Sequence, residues 1–174
     1  MALADIESGT LKYEKEILSL RVLINQVTDG QRLIAERKNL LLTSTFSDNL
    51  HEVLVDKTQI VRVVSNLIDN AIKYTESGEI TVSAVRKNDD IEVAVKDTGI
   101  GIDLPKNNQD QVFDRFYQEK ASSRGIGVGL SICENIIKAH HGKIWVESKG
   151  KGTGSTFKFT LPVPLCGELC SCSG

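Results

Sequence analysis

The stretch VVSNLIDNAIKYT, Val63 to Thr75, constrains this chain more than any other segment. With Ile60 just upstream, apolar Val63, Val64, Leu67, Ile68, Ala71 and Ile72 recur at i, i+3, i+4, i+7, i+8, i+11 and i+12. That period predicts an amphipathic helix with one broad face in a core. Asn66, Asn70 and Lys73 fall at i, i+4 and i+7 and so share one row beside the apolar stripe. Amide oxygens are hard ligands suited to magnesium, and an ammonium is a point-charge partner for phosphate. Taken alone, the row reads better as a solvated helix face. Three glycine-rich segments downstream decide between the two.

The chain has 174 residues, which suits one domain with a proper core and short extensions. A net charge of −2 with no basic cluster offers nucleic acid no electrostatic footprint. No apolar run approaches ~18 residues, so neither a membrane span nor membrane contact is expected within the chain. The acidic start, MALADIESG, lacks the pattern of a signal peptide. Cys166, Cys170 and Cys172 crowd the end, and Cys133 sits in a helical pattern as a core residue. This is no disulfide framework, and a reducing, cytoplasmic setting is expected, with a parent protein open to membrane anchorage. The terminal cysteines lack a fourth ligand for a closed zinc site.

Periodicity predicts a helix from about Leu18 to Lys38, with Asp29-Gly30 as its weakest point and with a frayed helix end and a Ser8-Gly9 turn before it. Leu40–Phe46 and His51–Val55 read as strands. Asp56 is a natural N-cap, with Gln59 at the capping-box position, and Gly78 ends the segment. Alternation over 79–86 and 90–97 with Asn88-Asp89-Asp90 between them predicts a hairpin. A loop-rich span follows, holding one short helix near Gln109–Phe116. Val128–His141 is the last helix, with His140 inward and Gly142 closing it, and strands at 143–148 and 155–161 complete the chain. Long helices with mostly antiparallel strands predict an α+β fold, a two-layer sandwich with helices on one face of a mixed sheet.

Asp97-Thr-Gly-Ile-Gly-Ile102 follows a strand. Gly99 and Gly101 admit close backbone approach to a flat ligand, and a carboxylate at a strand end accepts a hydrogen bond from an exocyclic amine such as that of adenine. Gly125-Ile-Gly-Val-Gly-Leu130 opens a helix, where backbone N–H groups and the helix dipole favour phosphate. It is neither the Rossmann fingerprint nor a P-loop, so a phosphate site of another architecture is expected. Gly152-Thr-Gly154 with Ser155 and Thr156 reads by itself as a hairpin loop.

In order, NLIDNAIKYT, DTGIGI, FDRF, GIGVGL and GTGSTF resemble the N, G1, F, G2 and G3 boxes of the sensor histidine kinase catalytic domain. That domain belongs to an ATP-binding superfamily shared with gyrase B, Hsp90 and MutL. The resemblance implies a mixed five-stranded sheet with three main helices on one face and an ATP lid. It implies ATP and Mg²⁺ as cofactors, with Asn70 on the metal and Asn66 and Lys73 along the phosphate path. Tyr74 would lie beside the adenine and Asp97 would read its amine, in a pocket shaped by Gly99, Gly101 and Ile102. Phe113 and Phe116 would anchor the lid, residues 118–124. Gly125, Gly127, Val128, Gly129 and Leu130 would form the hinge and phosphate loop, and Ser155 or Thr156 would support the adenine pocket. The implied division is 1–16 as the exit from a dimerisation helix, 17–163 as the catalytic domain and 164–174 as a cysteine-containing tail. The implied partners are the dimerisation and phosphoacceptor domain of the parent kinase and a response regulator receiver domain.

Two departures stand out. Gln118 replaces an arginine that reaches the γ-phosphate in many such kinases, leaving Lys120 or Arg124 for that role. No phosphoacceptor motif surrounds His51, His140 or His141, so the substrate histidine is expected on another domain. Asn66 stands where hydrolysing relatives carry a glutamate, and an amide cannot take a proton from water, so hydrolysis should be slow. Two rival readings are a nucleotide-binding output module without kinase activity and a serine kinase or ATPase of the same superfamily.

Overall fold

The structure is a computed structural model and describes residues 13–103, 111–114 and 129–164. The expected frayed helix and turn at the start, the lid, Phe116, Lys120, Arg124, Gly125, Gly127, Val128 and the cysteine tail lie outside the described residues.

Among the described residues, seven strands and three α-helices follow in the order β1 (Lys15–Leu18), α1 (Leu20–Arg37), β2 (Leu40–Phe46), β3 (Val53–Asp56), α2 (Lys57–Tyr74), β4 (Gly78–Lys87), β5 (Asp90–Asp97), α3 (Gly129–Ala139), β6 (Ile144–Glu147) and β7 (Thr156–Pro162). Five strands form a mixed sheet in the order β2-β4-β5-β7-β6, parallel only at β2-β4. The register aligns apolar residues across it: Val82, Val95, Phe157 and Val146 share one row, and Leu42 lies beside Ile80 two residues earlier on β4. Alternating residues therefore point to the same face, and the three helices cover it. The predicted α+β sandwich is the observed one.

Several local expectations change. Lys15–Leu18, read from sequence as linker and helix start, forms β1, and α1 begins at Leu20. β1 pairs antiparallel with β3, so the His51–Val55 run lies outside the main sheet, in a two-stranded ribbon. α1 runs through Gly30 as a single helix, as the periodicity predicts, because its buried face (Leu20, Leu23, Ile24, Val27, Ala35) continues on both sides of that exposed glycine. α2 ends at Tyr74, and Gly78 instead starts β4 with φ +118°.

Asp56 caps α2 as expected, its side chain accepting from the Gln59 N–H at 3.1 Å. The reciprocal half of the box is absent. Asp56 N–H donates to His140 Nε2 at 3.0 Å, while His140 Nδ1 lies 2.7 Å from the Ile136 carbonyl. His140 is 2% exposed and edge-on to Tyr13. At the end of α3, His141 takes the left-handed position (φ 60°), with His141 N–H bonded to Lys138 O and Gly142 N–H to Ile137 O. This is a Schellman closure. Gly142 serves clearance instead, since a Cβ there would lie 1.9 Å from Thr160 O.

Candidate nucleotide site

α2 buries all seven residues of its predicted stripe, each larger one contributing roughly 1.5–3 kcal/mol. That burial fixes the helix about its axis and so fixes where the polar row points. Asn66 is half-buried and faces α3: its Nδ2 donates to Gly129 O at 3.1 Å and lies 3.6 Å from Cys133 Sγ. A Cβ at Gly129 would come within 2.9 Å of Asn66 Oδ1, so a larger residue there would have to push the amide aside. The resemblance assigned Asn66 to the phosphate path and Gly129 to the phosphate loop, and the fold joins the two directly. Asn70, one turn on, is half-buried, and its side chain makes no hydrogen bond among the described residues. A part-buried amide oxygen left unclaimed fits a hard cation such as Mg²⁺. Lys73 is exposed, with its ammonium 5.0 Å from the centre of the Tyr74 ring, and Tyr74 is 39% exposed.

The C-terminus of α2 meets the end of β5. Asp97 continues the inward series Ile91, Val93, Val95, so strand parity places a carboxylate at a core position, 4% exposed. A buried charge needs donors. Oδ1 accepts from Gly99 N–H at 2.8 Å and Ser155 N–H at 3.2 Å, and Oδ2 accepts from Ser155 Oγ at 2.5 Å. Among the described residues no cation pairs with it. Two carboxylate oxygens offer about four acceptor positions, so these three bonds leave one on Oδ2 for an outside donor.

The glycines around Asp97 are clearance positions. At Gly99 a Cβ would meet Tyr74 O at 2.3 Å, and Asp97 Oδ1 and Thr75 Oγ1 at 2.9 Å. At Gly154, with φ +72°, it would meet the Asp97 carbonyl at 2.0 Å. Gly101 takes φ +71° against the Gly150 carbonyl. Backbone bonds from Ile100 N–H to Tyr74 O, Gly154 N–H to Gly99 O and Asp97 N–H to Ser155 O fasten the three loops together. Ile102 is buried and donates to Ser148 Oγ, which in turn donates to Gly154 O. Phe113 is buried edge-on to Phe157. Leu130 is partly buried against the core. Of the two hydroxyls proposed beside the base, Ser155 reaches Asp97, while Thr156 begins the half-exposed alternate row of β7.

Two participants escaped the sequence reading. Thr75 is fully buried, and its hydroxyl, beside Gly99, has no hydrogen-bond partner among the described residues. Its place directly after Lys73-Tyr74 was the available signal. Ser148 links the DTGIG and GTG loops and carries no motif at all. Cys133 is buried under Asn66, and burial pushes its thiol up to about 12 from 9.0.

The arrangement gathers a lone buried carboxylate, an orphaned hydroxyl, a cradle with no room for Cβ atoms, and a free amide one helix face away. A family profile described as histidine kinase-, DNA gyrase B-, and HSP90-like ATPase matches residues 55–165. The adaptive-response sensory kinase SasA of Synechocystis sp. is 40% identical over 150 residues, spanning 84% of this chain and 38% of SasA. The chain thus spans about two fifths of the length of that relative. The catalytic domain of histidine kinase ThkA superposes with a TM-score of 0.73 at 32% identity, over 86% of this chain and 95% of that one. ThkA in complex with response regulator protein TrrA gives 0.75 at 26% identity, over 93% and 46%. Full-length ShkA in complex with AMPPNP gives 0.81 at 24% identity, over 91% and 33%, a likeness of fold. Profile, identity and superposition agree with the geometry: the chain belongs to the histidine kinase-, DNA gyrase B- and HSP90-like ATPase family, as a histidine kinase catalytic domain.

Proposed function

We propose that this domain binds Mg-ATP and transfers its γ-phosphoryl group to a histidine on a dimerisation domain outside the chain, within a two-component signalling pathway. The observation that carries the reading is Asp97: a buried carboxylate, held by three donors and unpaired with any cation among the described residues, with an acceptor position left over. An exocyclic amine of adenine satisfies it. Ser155 holds the carboxylate in orientation, and Gly99 and Gly101 let the ring approach. Asn70 would carry the Mg²⁺, which when bound screens the charge of the phosphates. Lys73 lies one turn further along the same row, where its ammonium reaches a phosphate oxygen. Asn66, clasped to Gly129, sets the spacing between α2 and the glycine-started α3, whose N–H groups receive phosphate. For Phe116, Lys120, Arg124, Gly125, Gly127 and Val128, the roles implied by the resemblance are retained as part of the proposal. Phosphoryl transfer needs mostly positioning and charge stabilisation, and Asn66 supplies no general base for water. The partners proposed are the phosphoacceptor domain and a response regulator, in a cytoplasmic setting.

The test mixes the chain with a separate dimerisation domain bearing an acceptor histidine and with γ-labelled ATP. Acid-labile, alkali-stable label on that domain is expected, lost with Asn70→Ala. Acid-stable label would mean a serine kinase. Nucleotide binding without any label would mean an output module. Calorimetry showing unchanged affinity for a Mg-ATP analogue in both Asn70→Ala and Asp97→Asn would overturn the site assignment.

A further inference from the structure

A residue distant in sequence from every glycine-rich segment reaches the wall of the candidate base pocket. Lys38 is the C-cap of α1, its N–H bonded to Ala35 O at 2.9 Å, and Asn39 next to it turns the chain with φ 56°. With its backbone fixed in this way, the side chain crosses to the far end of α2. Its ammonium donates to Ile72 O at 2.5 Å and to Thr75 O at 3.2 Å. The last four carbonyls of a helix have no partner within it, and a cation there also meets the negative end of the helix dipole. Lys38 takes one of those carbonyls and the first one beyond them. Tyr74 O, between the two, goes to Ile100 N–H at 3.0 Å.

The consequence reaches Asp97 through contact. Thr75 leaves the helix with extended backbone, φ −109° and ψ 119°. Tyr74 O and Thr75 Oγ1 form the wall against which Gly99 packs without room for a Cβ, and Gly99 N–H holds Asp97 Oδ1. Packed contacts of this kind do not absorb displacement, so a shift of Tyr74–Thr75 moves Gly99 and reorients the carboxylate. We propose that Lys38 is a positioning residue for base recognition. It pins the exit of α2 and so holds Asp97 in line with the purine, an inference that rests on Asp97 being the base acceptor.

Lys38 is an exposed residue, so its variants are expected to fold, and thermal unfolding of each checks that. The experiment measures dissociation constants of the 174-residue chain for Mg-AMPPNP and Mg-GMPPNP by calorimetry. Lys38→Met should weaken AMPPNP binding roughly three- to ten-fold, the weight of about one net hydrogen bond. It should narrow the preference for adenine over guanine by the same factor. Lys38→Arg, which keeps a cation with several donors, should restore both, and Lys38→Gln should fall between. A purely structural lysine would lower the unfolding temperature and leave the base preference intact. Asp97→Asn separates the two levels of the argument. If it leaves the preference unchanged, the reading of the pocket fails. If it abolishes the preference while Lys38→Met leaves it at the wild-type value, the role of Lys38 is overturned.

Discussion

Replacing Asp97 by asparagine tests the pocket with the smallest possible change in shape. Truncation to alanine would strand Gly99 N–H, Ser155 N–H and Ser155 Oγ without an acceptor, at about 1–3 kcal/mol for each buried group, and would confuse folding with binding. Asparagine keeps Oδ1 for the two N–H donors, and the Ser155 hydroxyl can rotate to accept from the new amide. The expected stability loss is therefore no more than about 1 kcal/mol. What disappears is a charged acceptor for the exocyclic amine. A hydrogen bond to a charged group contributes about 1.5–3 kcal/mol, which is a 10- to 150-fold rise in Kd. The amide also donates where the carboxylate only accepts, so repulsion of a purine carbonyl becomes attraction, and the guanine analogue should gain on the adenine analogue. Calorimetry with both Mg-loaded analogues, alongside thermal unfolding, reads all three effects. A variant that folds like the wild type and binds AMPPNP within two-fold of it would refute the assignment.

Gly99→Ala should destabilise the domain by about 1–3 kcal/mol, because the new methyl would lie 2.3 Å from Tyr74 O. Gly30→Ala, where nothing lies within 4 Å and the helix continues on both sides, should instead stabilise it by roughly 0.5–1 kcal/mol; denaturant titration distinguishes the two. His140 is held below its usual 6.5, first by burial and further by Lys15 and His141, against the opposing pull of Ile136 O and Asp56. The unfolded chain then binds the proton more readily, so stability is full above pH 6.5 and declines as pH falls from 6.5 toward the lowered native value. In His140→Phe that part of the slope should vanish, as chemical denaturation across the same pH range would show. Cys133, pushed to about 12 and fully buried, should resist iodoacetamide in the native protein and react only on unfolding, which mass spectrometry follows.

Helix positions were legible because their signal is local and repeated. The stripe of α2 is the buried set residue for residue. The carboxylate was legible too, though for a chemical reason, and its burial follows from strand parity along β5, which the alternation already contained. β1 was not legible, since Lys15–Leu18 has no alternation of its own and exists only because β3 is there to pair with it. The same holds for the base of the site. Lys38 and Ser148 act through bonds to residues 34 to 37 and 46 positions away, and Thr75 through packing against Gly99, 24 positions on; no local pattern carries such separations. The capping box failed because a distant imidazole, His140, outcompeted Gln59 for one N–H.

The antiparallel α2 and α3 are tied at two places, Asp56 with His140 and Asn66 with Gly129. Along either helix those knots lie about 15 Å apart, at 1.5 Å rise per residue. The chain enters beside the first knot, where the Tyr13 ring stands 5.2 Å from His140 and Lys15 Nζ holds Ala139 O. The glycine-started end of α3 lies at the second. Because one tie sits at each end of α3, any slide of α3 along α2 would have to break both hydrogen bonds together, so the pair fixes the register of the two helices.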